Sequence, residues 1–574
     1  MRPVARQNVL GLLALILYSY VLILIPAWVK RIIDSLGKNG LREELFHSCL
    51  WILALAAGAA VLLFYARWAI IGASRFIEER MRNDLFSHIS RLTPRFYHSI
   101  KTGDLVTRFA SDIEQVRLLI GPGIMYPGQT VVVTALALYS MFSVDAKLSV
   151  ILLILIAILL IFVNLNTRQL HKAYRQAQEV YSDMSAQVQE NFNGIRVIKA
   201  YCQEEAEYER FRRLNNRFVD YNIDQIKLRG LLFPFTRFIG NAGVVVILWF
   251  GGYRVIDGGL TLGDLIQFTI YYQLLMWPIV ALGWIINVIH RGAASWRRIL
   301  SVLCVQPEIE IPETEDASEI LLGDIEVRDL TFAYEENRLP ALKDFSFHVR
   351  PGETLAIVGP TGCGKTTIVN LLLHLYKIPR GTIFFDGRDI NDIPLMTLRR
   401  SIGYVSQEVF LFSDSIRANI LFGESEPEKT PEEEIAGAAE RAQLTRDFDS
   451  FPDGLDTLIG ERGITLSGGQ KQRTGIARAL ILERPILILD DCLSAVDADT
   501  EEAILGGMKS AIRQSTAIII SHRISTVKRA DHIIVLEEGQ IVEEGKHEEL
   551  IASEGLYARL YKRQQLEESL GIRM

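Results

Sequence analysis

Six long apolar runs, all before residue 290, restrict most strongly what this sequence can fold into. They cover residues 9–29, 50–71, 118–142, 148–163, 230–252 and 262–289. A helix needs about 20 apolar residues to cross the hydrocarbon core of a bilayer, and the shortest run can extend at either end. Because a backbone in lipid has to satisfy its hydrogen bonds internally, the runs predict six transmembrane helices.

The overall composition favours a protein with both membrane and soluble parts. Hydrophobic residues make up 49% of the 574 residues and charged residues 22%, with a mean hydropathy of +0.19. The net charge of −7 argues against a general nucleic-acid binder, so we expect no nucleic-acid partner. The five cysteines are far apart and lack paired spacing, which predicts neither a disulfide framework nor a zinc site.

The segments between the apolar runs predict the orientation in the membrane. Residues 74–117 hold eight basic residues and residues 167–229 hold eleven, whereas the short joins hold few. The positive-inside rule therefore places these long segments, both termini and everything after the sixth helix in the cytosol. Both segments have helical spacing, and structureless loops of this length are unusual, so we expect helices that continue past the bilayer.

Two further expectations concern the membrane part. Residues 9–29 could instead be a cleaved signal peptide, but the run is longer than the apolar part of such a peptide and no small-x-small site precedes Lys30. We therefore expect it to remain as the first helix. The short external joins, and the lack of a targeting segment beyond the helices, favour a multi-pass protein of a bacterial plasma membrane.

The composition changes after about residue 302. Residues 307–318 are rich in Pro, Glu and Thr and are typical of a linker. Beyond them, short β-type runs alternate with helical stretches, which indicates an α/β domain. We predict an all-α six-helix transmembrane domain over residues 1–302, a linker over 303–323 and a soluble α/β domain over 324–574.

A phosphate-binding loop follows the apolar strand run of residues 355–358. It reads Gly359-Pro360-Thr361-Gly362-Cys363-Gly364-Lys365-Thr366, and a helical stretch begins at Thr367. Strand, glycine loop and helix form the context in which backbone N–H groups and a helix N-terminus bind phosphate. Lys365 is expected to reach the β- and γ-phosphates of a nucleotide, and the Thr366 hydroxyl to bind Mg²⁺.

A second apolar strand run, residues 486–489, ends at Asp490. A carboxylate at this position is expected on the metal side of the nucleotide site. Asp491 follows immediately, where a base or a water-orienting residue could stand. Together with the loop, these residues predict a domain that binds ATP with Mg²⁺.

At these motifs the chain resembles ABC transporters, and further motifs in the same order make the resemblance specific. They are the signature motif Leu466-Ser467-Gly468-Gly469-Gln470, the Q-loop residue Gln407, the switch residue His522, the D-loop at residues 494–497, the aromatic Tyr334 and an X-loop at residues 457–463. Residues 104–109 and 191–198 resemble the coupling ends of intracellular loops. Six helices before one such domain resemble an exporter half-transporter over essentially the whole chain.

The resemblance implies a role for each of these residues. ATP is bound by Tyr334, the loop residues Gly359 to Thr366 with Thr367, and the signature residues Ser467, Gly468, Gly469 and Gln470. By the same resemblance, Mg²⁺ is expected to be held by Thr366, Gln407 and Asp490, and hydrolysis is expected to depend on Asp491, His522 and Gln407. Two such chains pair, and each ATP lies between the phosphate loop of one chain and the signature motif of the other.

The chain departs from the family pattern at Asp491, where fully active members carry Glu. Its carboxylate is one methylene shorter, and a misplacement of about 1 Å can cost about a hundredfold in rate. We therefore expect ATP binding with slow hydrolysis at this site. That combination resembles the degenerate-site subunit of bacterial heterodimeric exporters, whose signature motif completes the partner's competent site.

Other readings remain open at this point. A homodimer with two slow sites, an ATP-gated regulator that does not pump, and an importer component are the alternatives. The substrate classes that remain possible are amphipathic small molecules, lipids and peptides.

Arg237 lies inside the fifth apolar run and is either a transport-path residue or one that reaches an interface or another helix. Aromatic side chains of the sixth run, such as Tyr272 and Trp277, line a cavity or, in the reading we favour, have a structural role.

Overall fold

A computed structural model describes residues 2–36, 42–309, 319–335, 339–460, 466–493 and 498–569. The chain divides into two compact units. One comprises Met1–Ile89 and Thr102–Val305, and the other comprises Ser90–Lys101 and Gln306–Met574. The first is built from helices and the second contains the β-sheets.

Helices account for the regular structure of the first 305 residues. They are α1 (Arg2–Leu36), α2 (Arg42–Ser90), α3 (Pro94–Ser99), α4 (Thr102–Thr107), α5 (Ile113–Ile120), α6 (Pro122–Val144), α7 (Ala146–Asn193), α8 (Ile195–Ala200), α9 (Glu204–Val246), α10 (Gly252–Ile256) and α11 (Leu262–Leu303). Single π-helical turns, Arg108–Asp112 and Ile247–Gly251, precede α5 and α10. Helix α3 belongs to the second unit.

In the described part of the chain, six helical stretches are long and apolar enough to cross a membrane, which confirms the six predicted spans. Helix α7 has 48 residues and α9 has 43. At about 1.5 Å per residue, each is far longer than the hydrocarbon core of about 30 Å. The segments after the second and fourth runs are therefore helical, as predicted.

Helix α11 presents a buried face to the other helices of the first unit. Phe268 and Tyr272 are fully buried in a cluster that also contains Met141 and Ile239. The Tyr272 hydroxyl donates to the Ile239 carbonyl of α9 at 3.1 Å. A Cβ atom at Gly243 would lie 2.1 Å from this hydroxyl, so only glycine lets the ring pack against α9.

A buried carboxylate connects the π-helical turn before α5 to α11. Asp112 is 2% exposed. It accepts hydrogen bonds from the Ser295 hydroxyl at 2.9 Å and from Arg298 Nε at 2.9 Å. Charge-assisted bonds of this kind are the strong ones, so they hold the turn against α11.

The described residues of the second unit form ten strands. They are β1 (Ile325–Phe332), β2 (Leu342–Val349), β3 (Thr354–Val358), β4 (Ile383–Phe385), β5 (Arg388–Asp389), β6 (Ile402–Val405), β7 (Ile486–Asp490), β8 (Thr516–Ile520), β9 (His532–Glu537) and β10 (Gln540–Gly545). The first sheet is antiparallel, in the order β2-β1-β4-β5. The second has the order β10-β9-β3-β8-β7-β6, with β10 as its one antiparallel strand among the described strands.

Helices surround the larger sheet and connect its strands. They are α12 (Lys365–Leu372), α13 (Leu395–Arg400), α14 (Ile416–Ile420), α15 (Glu432–Arg441), α16 (Gly468–Leu480), α17 (Ala498–Gln514), α18 (Ile524–Val527), α19 (His547–Ala552) and α20 (Leu556–Ser569). The central strands β3, β7 and β8 are buried along their whole length, as apolar runs in a parallel sheet require. The predicted fold class, six membrane-type helices followed by an α/β domain, is thereby confirmed.

Candidate nucleotide site

The phosphate loop connects the carboxyl end of β3 to α12, where parallel α/β sheets place their ligands. Gly362 and Gly364 have φ values of +84° and +108°, a region that side chains rarely enter. A Cβ at Gly364 would lie 2.7 Å from the Ala341 carbonyl oxygen, whereas nothing lies within 4 Å of a Cβ at Gly362. The loop therefore needs both glycines for backbone shape and Gly364 for close packing as well.

This difference gives a matched pair of variants. We expect Gly364→Ala to lower the thermal stability of the full chain more than Gly362→Ala does. Both variants add strain of about 1–2 kcal/mol from the positive φ, but only the first adds a collision with backbone. Thermal unfolding of the two purified variants measures the difference. Equal midpoints would contradict the packing described here.

Lys365 lies against the loop that it follows. Its Nζ donates to the carbonyls of Gly359 and Pro360, each at 2.8 Å, and lies 3.7 Å from Cys363 Sγ. The ammonium group is therefore held at the loop that is expected to bind phosphate. Burial raises the pKa of the Cys363 thiol, which keeps it neutral.

Tyr334, which follows β1 in the sequence, packs in space beside the first turn of α12. Its hydroxyl donates to the Thr367 hydroxyl at 3.1 Å, and its ring meets Phe332 and Tyr376 edge-on with centroids 5.2 and 5.1 Å away. These contacts fix the ring beside the loop. Stacking on adenine stays a prediction.

Asp490 ends β7 beside the phosphate loop. The Thr366 hydroxyl lies 3.5 Å from its Oδ1, and among the described residues its buried Oδ2 has no hydrogen-bond partner. Burial raises the pKa of this carboxyl. A buried carboxylate oxygen without a partner, next to a threonine hydroxyl, fits a Mg²⁺ ion that takes its other ligands from phosphate and water.

The described residues contain no group of three or more His, Cys, Asp and Glu side chains that could hold a metal. A Mg²⁺ site built from one or two protein ligands together with nucleotide phosphates agrees with this finding. Thr366 and Asp490 would supply the protein ligands. Gln407, the third predicted ligand, donates its Nε2 to Asp491 at 3.4 Å, and metal binding through its Oε1 stays a prediction.

Asp491 brings together two residues that the sequence placed far apart. His522 Nδ1 lies 2.8 Å from its Oδ1, and Gln407 Nε2 donates to its Oδ2 at 3.4 Å. The three residues follow β7, β8 and β6, which are adjacent in the sheet. Parallel strands end at one edge, so the sheet order alone puts these side chains in reach of one another.

The signature residues form the start of α16. The Ser467 hydroxyl accepts from Gln470 N at 3.3 Å, and Gln470 Oε1 accepts from Ser467 N at 2.9 Å, which is a capping box. Gly468 and Gly469 lie in the first turn of this helix. Within the described residues, no hydrogen bond or ion pair connects these four to the phosphate loop. Completion of a partner's site stays a prediction.

Two predicted motifs fall partly or wholly outside the described residues. They are the D-loop at residues 494–497 and residues 461–463 of the X-loop. Conversely, the motifs gave no indication of Glu501 and Gln564, which bind the segment around His522. The sequence offered one indication that a carboxylate binds this segment, because the hydrogen-bond donors Arg523, Ser525 and Thr526 follow His522 closely.

The membrane helices contain two kinds of residue that the sequence suggested for the transport path, an arginine and several aromatic side chains. Arg237 is exposed on α9 and makes no ion pair among the residues described. Tyr271 and Tyr272 are buried and bind backbone carbonyls of other helices, whereas Trp277 and Trp284 are exposed and pack against Tyr126. The buried pair supports the structural reading for those two tyrosines.

Comparison with known proteins gives consistent matches along the chain. Residues 9–279 match the ABC transporter transmembrane region and residues 342–494 match the ABC transporter family. The chain is 35% identical to a probable multidrug resistance ABC transporter ATP-binding/permease protein, YheI of Bacillus subtilis (strain 168), covering 94% of this chain and 92% of that protein. It is 33% identical to an ATP-dependent lipid A-core flippase of Syntrophus aciditrophicus (strain SB), covering 86% and 81%.

A solved structure is similar over almost the whole length. It is described as a bacterial Atm1-family ABC exporter with ATP bound, with a TM-score of 0.76 and 25% identity, covering 98% of this chain and 99% of that chain. The match spans both the helical and the α/β part. It agrees with the order of elements described above.

Proposed function

The chain belongs to the ABC transporter family of ATP-hydrolysing translocases, as an exporter half-transporter, and we propose that it forms the slow-site subunit of a two-chain exporter. Its own site binds ATP and turns it over slowly. Its signature residues Ser467–Gln470 complete the competent site of a partner chain.

One observation carries this proposal, and it is the position of the Asp491 carboxylate. Both of its oxygens have neighbours within the chain, His522 at 2.8 Å and Gln407 at 3.4 Å. The side chain is one methylene shorter than Glu and starts from a backbone with φ +46°. A carboxylate held back in this way is poorly placed to orient an attacking water.

The other residues of the site suit ATP binding. Lys365 supplies a cation at the phosphate loop, and Thr366 and Asp490 supply a hydroxyl and a carboxylate to one metal position. Mg²⁺, when bound there, neutralises charge that develops on the transferring phosphate. Gly362 and Gly364 let backbone N–H groups close around the phosphates. We propose that Tyr334 packs on the adenine.

Asymmetry between two sites gives a transport cycle. ATP retained at the Asp491 site keeps the two soluble domains engaged, and hydrolysis at the partner's site changes the state of the membrane helices. ATP biases the cycle because it binds the engaged dimer better than the separated one. Residues 104–109 and 191–198 would transmit the change between the domains.

The names of the relatives and the membrane part support a proposal for the cargo. The relatives carry the words multidrug resistance and lipid A-core flippase in their names. We propose an amphipathic cargo, and Arg237, a cation within a membrane span, as a contact for an anionic group on it. The basic long segments support a cytosolic position for the soluble domain and both termini, in a bacterial inner membrane.

The test is the ATPase rate of the purified chain alone and with a co-expressed partner half-transporter, each with and without Asp491→Glu. We expect slow turnover alone and fast turnover with the partner. Asp491→Glu should raise the rate of the chain alone by roughly tenfold to a hundredfold, because the longer side chain returns the carboxylate to its working position.

The matched control is Asp491→Asn in the two-chain complex. It should leave turnover largely unchanged, because the partner's site carries the hydrolysis. Fast turnover by the unaltered chain alone would instead identify a homodimer with Asp491 as a competent residue. Turnover that transported substrates never stimulate would favour an ATP-gated regulator that does not pump.

A further inference from the structure

The segment that carries His522 is held by two side chains from distant parts of the chain. It runs from Ser521, just after β8, through the short helix α18. One side chain comes from α17 and the other from α20, near the end of the sequence. The proposed roles of the ATP-site motifs include neither of them.

Glu501 of α17 binds the side chains that follow His522. It is 4% exposed, and its carboxylate accepts from Arg523 Nη1 at 2.6 Å and from the hydroxyls of Ser525, at 3.1 Å, and Thr526, at 2.5 Å. Three donors on one buried carboxylate fix α18 against α17.

Gln564 of α20 binds the backbone on both sides of Arg523. Its Nε2 donates to the His522 carbonyl, and its Oε1 accepts from Ile524 N at 2.8 Å. A single amide thus satisfies one acceptor and one donor that border the histidine. The arrangement restricts the backbone of His522 itself, not only its neighbours.

Helix α20 is in turn fixed to the sheet. Tyr557 is fully buried, and its hydroxyl lies 2.7 Å from His547 Nδ1. Glu543 of β10 accepts from the backbone N–H groups of Leu556 and Tyr557 at the start of the helix. The helix that carries Gln564 is therefore itself held in place.

We propose that Gln564 and Glu501 are positioning residues that set the place of His522 relative to Asp491. The His522 side chain is 54% exposed, so packing alone does not hold it. Its position follows from the backbone that Gln564 and α18 fix. A displacement of about 1 Å at a catalytic group costs up to about a hundredfold in rate.

The decisive variant is Gln564→Ala in the full-length chain in lipid nanodiscs. Hydrolysis is followed with γ-labelled ATP, so that slow turnover is measurable. We expect kcat to fall roughly tenfold or more while KM for ATP changes by less than about twofold, because the phosphate loop is untouched. The matched control is Gln565→Ala, since Gln565 donates only to Tyr561 at 2.8 Å in the described structure.

A double-mutant cycle separates positioning from general damage. In a chain that carries His522→Ala, adding Gln564→Ala should cause no further loss, because the group that it positions is gone. Glu501→Gln tests the second arm and should lower kcat in the same non-additive way. Equal losses with and without the histidine would overturn the proposal.

Hydrogen exchange gives a readout that does not depend on turnover. Gln564→Ala should accelerate amide exchange in residues 521–527 and leave the phosphate loop unchanged. Gln565→Ala should accelerate neither. Unchanged exchange at residues 521–527 in Gln564→Ala would overturn the proposal by itself, as would a kcat equal to that of the control.

Discussion

Asp490→Asn should lower ATP turnover by about a hundredfold to a thousandfold while ATP still binds. The substitution keeps the size and shape of the side chain but removes the charge from an oxygen that has no hydrogen-bond partner among the described residues. Charge stabilisation by a metal is worth several kcal/mol in such reactions, and each 1.36 kcal/mol is tenfold in rate. The phosphate loop, which we propose binds ATP, stays intact.

The measurement is the Mg²⁺ dependence of the slow turnover of the chain alone, followed with γ-labelled ATP, with and without Asp490→Asn. Equilibrium binding of ATP in EDTA then reports the loop alone. Asp531→Asn is the matched control, because Asp531 is exposed and, among the described residues, its side chain accepts only a backbone bond, from Thr354 N at 2.9 Å. Full turnover in Asp490→Asn would rule out the metal position proposed here.

Asp112→Ala should destabilise the membrane unit by about 2–3 kcal/mol. The change removes a buried acceptor and leaves the Ser295 hydroxyl and the Arg298 guanidinium without their partner. An unsatisfied buried polar group costs about 1–3 kcal/mol, and breaking a buried ion pair costs more. Arg298 is half exposed and recovers water, so the figure lies below that of a fully buried pair.

Thermal unfolding in detergent, followed by intrinsic fluorescence, measures this loss. Glu209→Ala is the control, since the side chains of Glu209 and its ion-pair partner Arg212, at 2.9 Å, are both exposed. An exposed pair is worth at most about 1 kcal/mol, so the control should unfold near the temperature of the unaltered chain. If both variants unfold at the same temperature, Asp112 does not hold the turn to α11.

Features encoded within short stretches could be predicted from the sequence. The six spans follow from apolar runs whose length is dictated by the bilayer, and the phosphate loop from glycines whose backbone must turn between β3 and α12. Both depend on residues that are neighbours in the chain. The six spans and the fold class are confirmed on this ground.

Contacts between distant residues could not be predicted in the same way. Gly243 and Tyr272 lie on different helices. Nothing in the sequence near either residue indicates that the Tyr272 ring occupies the space where a Cβ atom at position 243 would be. Asp112 binds Ser295 and Arg298, which lie 183 and 186 residues later in the sequence. Such pairs depend on how the helices pack, which the local pattern of apolar and polar residues leaves open.

The meeting of Gln407, Asp491 and His522 is intermediate between these cases. The motifs identified each residue, but only the strand order β6-β7-β8 shows that the three side chains lie close to one another. Gln564 shows the other limit. It lies in a polar helix with no motif, and only the fold brings it to the histidine.

Gln564 follows the phosphate loop, Asp491 and His522 in the sequence, and this order has a consequence for biosynthesis. A ribosome releases the chain from its N-terminus, so the phosphate loop, Asp491 and His522 leave the exit tunnel before α20. The histidine backbone then lacks the amide that fixes it until α20 has emerged and docked through Tyr557. Until then, the nascent nucleotide site would turn ATP over more slowly than after α20 has docked.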